Sequence, residues 1–169
     1  MTDLDAGGLV LRPVTRDHAL ALLDGRTPGG LVLAPGYPSR FSLEVMQFVA
    51  ATPEQDRGFG PWFMHRRPDD AVVGEIGANL DAASATAQTG YTVVEPSWGQ
   101  GYATDALRAL LRHVLADPRV RRVMAETQVT HTASRRVMEK AGMTLCGERT
   151  GDVDGEIMDL VVYEALTPR

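Results

Sequence analysis

Gly90 to Leu111 reads GYTVVEPSWGQGYATDALRALL, and this stretch decides the fold. Tyr91, Thr92, Val93 and Val94 are aromatic or β-branched and predict a strand. Glu95-Pro96 ends it, because proline has no donor for a ladder and holds its predecessor extended. Ser97 to Gly101 is a short connector with two glycines free to take unusual dihedrals. The period then becomes helical, with Ala106, Leu107, Leu110, Leu111, Val114 and Leu115 on one face. A strand, a glycine turn and a helix start together aim unpaired backbone N–H groups at one spot. Such a spot suits an anion, commonly a phosphate.

The known nucleotide loops do not match. A Walker loop needs Gly-Lys-Ser/Thr, which is absent from the chain. A dinucleotide fingerprint needs a third glycine where GQGYAT has Thr104.

The rest of the chain builds outward from this centre. Leu9 to Arg12 predicts a strand stopped by Pro13, and Thr15 or Asp17 can cap a helix through about Leu23. Asp24 to Ser39 is rich in glycine and proline and predicts a long loop, either substrate-facing or a surface excursion. Phe41 to Ala51 carries Phe41, Val45, Phe48 and Val49 at helical spacing. Gly60 to His65, Ala71 to Asn79 and Thr86 to Val94 predict an antiparallel meander. After the crossover helix, Val120 to Val129 predicts a strand with Val123, Ala125 and Thr127 on one side. Thr132 to Ala141 predicts a helix with Ala133, Val137, Met138 and Ala141 as its apolar stripe and Gly142 as a left-handed cap. Leu145 to Thr150 and Glu156 to Tyr163 form a hairpin around Asp154-Gly155. No repeat or linker divides residues 1–169, so one domain is expected.

Composition bounds the function. A chain of 169 residues can bury roughly 70% of its unfolded surface in one domain. Hydrophobic content of 44% and charged content of 23% are ordinary for a globular protein. A net charge of -5 argues against a nucleic-acid partner, which calls for a basic stripe. Apolar runs are too short for a membrane span, and no signal-peptide pattern opens the chain. The single cysteine, Cys146, cannot form an internal disulfide. It is read as small packing, as are Trp62 and Trp98, with Trp98 also covering the loop. A cytoplasmic protein without a metal site is the expectation.

The wording WGQGYA followed by TDAL resembles the acyl-coenzyme A loop of the GNAT superfamily of N-acetyltransferases, Gln/Arg-x-x-Gly-x-Gly/Ala. Trp98 stands at its first position, and Gly101 and Ala103 at its glycine positions. The wording is most similar to the branch containing the ribosomal-protein-alanine N-acetyltransferases. HTASRRVMEKAGM, His131 to Met143, resembles the family's Asn-x-x-Ser-x-x-Val-Leu-Glu-Lys-x-Gly-Phe segment through Ser134, Glu139, Lys140 and Gly142. His131 replaces an asparagine that holds the pantetheine amides, and Met138 replaces a tyrosine general acid.

The resemblance implies an α+β fold in three α/β/α layers: a mixed, mostly antiparallel sheet in which two parallel strands splay to admit the pantetheine arm. It implies acetyl-coenzyme A as cosubstrate and a primary amine as acceptor, either a protein N-terminus or a small molecule. Cofactor contacts are implied at Val93, Val94, Trp98, Gly99, Gln100, Gly101, Tyr102, Ala103, Thr104, His131 and Ser134, with an N–H of Val93 or Val94 as the oxyanion donor. Ser134 is the candidate acid, or else a helix-start hydroxyl. Gln88 stands where relatives carry a glutamate, so Glu75 is the candidate base and Glu126 the next. One of Arg108, Arg112, Arg135 and Arg136 is expected to meet a coenzyme phosphate. The resemblance is compatible with a homodimer through the C-terminal strands. The rival readings are a coenzyme-binding sensor without turnover and, more distantly, an oxidoreductase using a dinucleotide.

Overall fold

The computed structural model describes residues 1–153 and 155–167. In chain order the elements are β1 (Leu4–Ala6), β2 (Leu9–Pro13), α1 (Arg16–Leu23), β3 (Val32–Leu33), α2 (Arg40–Ala51), β4 (Phe59–Arg66), β5 (Ala71–Asp81), β6 (Thr86–Val93), α3 (Tyr102–Leu115), β7 (Arg122–Gln128), α4 (Thr132–Ala141), β8 (Thr144–Val153) and β9 (Glu156–Leu166). The strands join one sheet in the order β1-β2-β4-β5-β6-β7-β9-β8, with β3 added to β5. The expected meander is present as antiparallel β4, β5 and β6. β6 and β7 are parallel across α3, as a crossover helix requires.

Helices cover both faces of the sheet, and β4 shows how. Alternate residues of a strand point to opposite sides. Trp62 meets His113 of α3 edge-on at 5.4 Å between ring centroids. Its neighbour Phe63 meets His18 of α1 at 5.5 Å. Residues 59–65 are accordingly buried throughout, and Trp62 packs as expected.

Local chemistry sets the helix ends. The Thr15 hydroxyl accepts from the His18 N–H, while His18 Nδ1 accepts from the Thr15 N–H, a reciprocal cap for α1. Ser39 caps α2 from one side only, its hydroxyl accepting from the Ser42 N–H at 3.1 Å. Arg57, only 4% exposed, donates to the carbonyls of Thr52 and Val49 at 2.8 and 2.9 Å, satisfying groups that the end of α2 leaves open. Gly142 takes φ 95° and closes α4, as its position predicted.

Several expectations need correction. The 24–39 loop contains β3, whose two residues run parallel to Ala71 and Val72. β1 precedes the first expected strand. The inward stripe of α2 is Ser42, Met46 and Val49; Phe41 is 57% exposed and Phe48 lies at the surface. Ala133 is exposed on α4, whose one fully buried side chain is Met138. Cys146 is exposed rather than packed, as are its neighbours on the edge strand β8, and it sits at a bulge between Leu145 and Gly147. The C-terminal hairpin forms, with longer strands than expected; Asp154 of its turn lies outside the described residues.

Candidate active site

Strands β6 and β7 pair only over Thr86–Gln88 and Arg122–Met124. Beyond that β6 runs on to Val93 and β7 to Gln128 without pairing to each other, so the middle of the sheet opens as a wedge. Each strand keeps its other neighbour, β5 for β6 and β9 for β7, over the same residues.

The backbone of β6 is therefore half used at the wedge. The Val94 N–H donates to Val73 O at 2.9 Å. Antiparallel strands alternate between bonded and non-bonded pairs, so the opposed pair Gly74–Val93 is non-bonded. The Val93 N–H then points away from β5 and into the wedge. Of the two residues expected to serve an oxyanion, Val94 already has its N–H committed. The Val93 carbonyl accepts from Trp98 Nε1 at 2.6 Å. Trp98 is 63% exposed, so it ties the loop to the strand end rather than packing inside.

Past Trp98 the backbone turns through Gly99 at φ 75° and Gly101 at φ 83°, conformations costly for residues with a Cβ. Gln100 lies between them in the turn. Gly101 is the N-cap of α3 and brings no side-chain acceptor. The first helical bond is from the Asp105 N–H to Gly101 O at 3.0 Å. The N–H groups of Tyr102, Ala103 and Thr104 are thus left for an outside acceptor, at the positive end of a 14-residue helix. These residues fit a pyrophosphate, and the wedge beside them fits an extended amide-bearing arm.

On the α3–α4 side of the sheet, Tyr91 reaches from β6 to α4. Its hydroxyl lies 2.9 Å from Ser134 Oγ and 3.3 Å from Ser134 O. Burial raises the phenol pKa, and the Ser134 contact opposes that rise. Sequence reading took Tyr91 only as a strand former; its partner lies 43 residues away. His131, exposed at the N-cap of α4, places Nδ1 3.1 Å from Thr127 Oγ1, which leaves Nε2 as its outward-facing atom.

On the other side, Glu75 of β5 stands opposite Phe63 of β4 and Thr92 of β6. It is 2% exposed, and neither carboxyl oxygen is hydrogen-bonded. Burial raises its pKa to about 7; the nearby hydroxyls of Tyr37 and Ser42 restrain the rise without completing a hydrogen bond. A carboxyl poised near neutrality suits proton acceptance. Glu126 is different: its carboxylate is paired with Arg149, whose Nε lies at 2.9 Å. Gln88 faces Asn79 on the neighbouring strand and is exposed.

Three of the four candidate arginines hold the fold together. Arg108 donates to Lys140 O at 2.6 Å, Arg112 to Asp5 O at 3.3 Å and Arg135 to Val129 O at 3.1 Å. Arg135 also donates to Tyr163, whose hydroxyl donates to Glu139. Arg136 is exposed on α4 and has no such partner among the described residues.

A family model described as an acetyltransferase (GNAT) domain matches residues 8–144. A ribosomal-protein-serine acetyltransferase of Escherichia coli (strain K12) is 32% identical over 92 residues, 54% of this chain and 51% of that protein. The match thus spans about half the length of that relative, which is named for serine where the sequence wording resembled the alanine branch. Among solved structures, a ribosomal L7/L12 alpha-N-protein acetyltransferase in complex with coenzyme A superimposes with a TM-score of 0.75, at 20% identity and 98% coverage of both chains. A microcin C7 self-immunity acetyltransferase in complex with acetyl-CoA and AMP gives 0.71, at 18% identity and 95% and 93% coverage. At these identities the superpositions speak for the fold.

Proposed function

The chain belongs to the GNAT acetyltransferase family, and on that premise we propose that it moves an acetyl group from acetyl-coenzyme A to a primary amine, either a protein N-terminus or a small molecule. The observation that carries this reading is the presence of two sets of unused donors at the two ends of one short connection: the Val93 N–H in the wedge and the N–H groups of Tyr102, Ala103 and Thr104 at the start of α3.

The residues divide the work by position. The N-terminus of α3 and the glycine loop hold the pyrophosphate, and Arg136 meets a coenzyme phosphate from outside. The open edge of β6 and His131 receive the pantetheine amides. Glu75, on the α1–α2 side, accepts the ammonium proton, directly or through water, so that the nitrogen lone pair can attack the acetyl carbon. An alkylammonium has a pKa of about 10, so this proton must leave before attack. The Val93 N–H meets the carbonyl oxygen where negative charge gathers as the new C–N bond forms. As the C–S bond breaks, the Ser134 hydroxyl supplies a proton to the sulfur and regains one, through water, from the new amide nitrogen. Tyr91 orients that hydroxyl. Base and acid approach from opposite sides of the sheet, and the wedge is where they meet.

The test is release of coenzyme A thiol from acetyl-coenzyme A against N-terminal peptides, polyamines and aminoglycosides. Acceptor-dependent release from one class identifies both the activity and the substrate class. Thermal stabilisation by acetyl-coenzyme A without release from any acceptor would favour a sensor. The absence of stabilisation would refute the cosubstrate assignment.

A further inference from the structure

We propose that Tyr37 is a positioning residue that governs when Glu75 carries its charge, with Ser42 as its lesser partner. Among the described residues, four buried side-chain polar atoms lack a hydrogen bond, and three of them belong to residues flanking Phe63: both oxygens of Glu75, its partner across the ladder, and the hydroxyl of Tyr37, whose ring packs edge-on to it. Unpaired buried polar atoms are costly and uncommon, so their convergence calls for an explanation.

Tyr37 is held where it is. Its N–H donates to Ala34 O at 3.0 Å, and the next step back, Ala34, bonds Val72 O on β5. Gly36 packs beside Pro96 and Val94, so the loop lies against the turn after β6. The ring lies edge-on to Phe63 at 6.2 Å. Thus the 24–39 loop, read from the sequence as substrate-facing or a surface excursion, brings a buried phenol to the carboxyl.

The other groups around Glu75 cannot replace it. Phe63 and Thr92 flank it on the neighbouring strands. His18 of α1 and His65 of β4 pack against Phe63, with ring centroids 5.5 and 6.2 Å from it, and neither contributes to the ionisation of Glu75. The Ser42 hydroxyl is shared with Ser39 at 2.9 Å. A phenol that donates to a carboxylate favours its charged form. Burial and the charge of Glu75 push the ionisation of Tyr37 far upward, so the phenol remains a donor wherever the enzyme works.

The inference rests on the reading of Glu75 as the proton acceptor for its kinetic consequence, but its first measurement does not. The protein labelled with 13C-glutamate is titrated by carboxyl NMR, with Glu75→Gln assigning the resonance. Tyr37→Phe should delay the Glu75 titration by about one pH unit, a tenfold change in the ionised fraction on the acid side. Ser42→Ala should shift it less, in the same direction. Site-specific 3-fluorotyrosine at position 37, a stronger donor of nearly the same shape, should shift it downward. The acidic limb of kcat/KM should follow each shift while the high-pH plateau holds. A Glu75 midpoint that neither Tyr37→Phe nor fluorotyrosine moves would overturn the proposal. If the resonance moves but Glu75→Gln retains the acidic limb, the control of Glu75 by Tyr37 stands and its catalytic reading fails.

Discussion

Gly74→Ala is the substitution the structure resists most clearly. Gly74 lies opposite Val93, and a Cβ placed on it would sit 2.0 Å from Thr92 O, with Thr92 C and Val93 Cα both at 3.0 Å. All three contacts are backbone, so no side chain can rotate away. Relief requires β6 to move by more than about 1 Å at the residue whose N–H faces the wedge, and overpacking of this kind costs about 1–3 kcal/mol. For a domain of this size that lowers Tm by roughly 2–12 °C. A 1 Å displacement near reacting atoms costs on the order of a hundredfold in turnover. The control is Gly90→Ala on the same strand, where an added Cβ meets nothing within 4 Å. Thermal melts of the two variants, followed by thiol-release assays on Gly74→Ala, measure both effects. A Gly74→Ala protein with wild-type Tm and wild-type turnover would refute the argument that this close approach fixes the oxyanion donor.

Glu75→Gln should be more stable relative to wild type as pH rises. A carboxyl whose folded pKa of about 7 exceeds the unfolded value of 4.5 stabilises the fold below the latter and loses that contribution as pH passes the former; paired melts between pH 4 and 8.5 read the difference. The same variant should lose the rise in kcat/KM near neutrality and about a hundredfold or more of its rate. Arg136→Ala should weaken coenzyme A binding severalfold by calorimetry with little change in Tm, whereas Arg135→Ala should lower Tm by losing its bonds to Val129 and Tyr163. Tyr91→Phe should lower kcat about tenfold while leaving acetyl-coenzyme A affinity unchanged, and combining it with Ser134→Ala should add little further, because the two hydroxyls act as one unit.

The period change after Val94 exposed the strand–loop–helix centre in the sequence, and the spacing of Gly142 marked the end of α4. These features are local, so sequence carries them. β1 and β3 are three and two residues long, too short to show alternation. On α2, Ser42 was the available signal: a polar residue seven before Val49 and four before Met46 completes the buried stripe, whereas Phe41 and Phe48, also at helical spacing, face outward. Sequence could not choose among four arginines for one phosphate contact, because the partners of Arg108, Arg112 and Arg135 are backbone carbonyls, which no residue letter announces. Tyr91 and Tyr37 escaped for a related reason. Alternation gives the side of the sheet each strand residue faces, but what it meets there depends on elements distant in sequence. Glu75 could be nominated as a base; its companions could not.

The wedge also makes the protein mechanically two leaves. One carries β1 to β6, the other β7 to β9, and the strands stitch them through only three residue pairs at one end. The leaves are also joined by α3, which touches strands from both and packs on α4, and by the hydrogen bond between Tyr91 and Ser134. A molecule seated in the wedge therefore acts as a strut as well as a reactant, spanning two leaves that the sheet itself joins only as far as Gln88 and Met124.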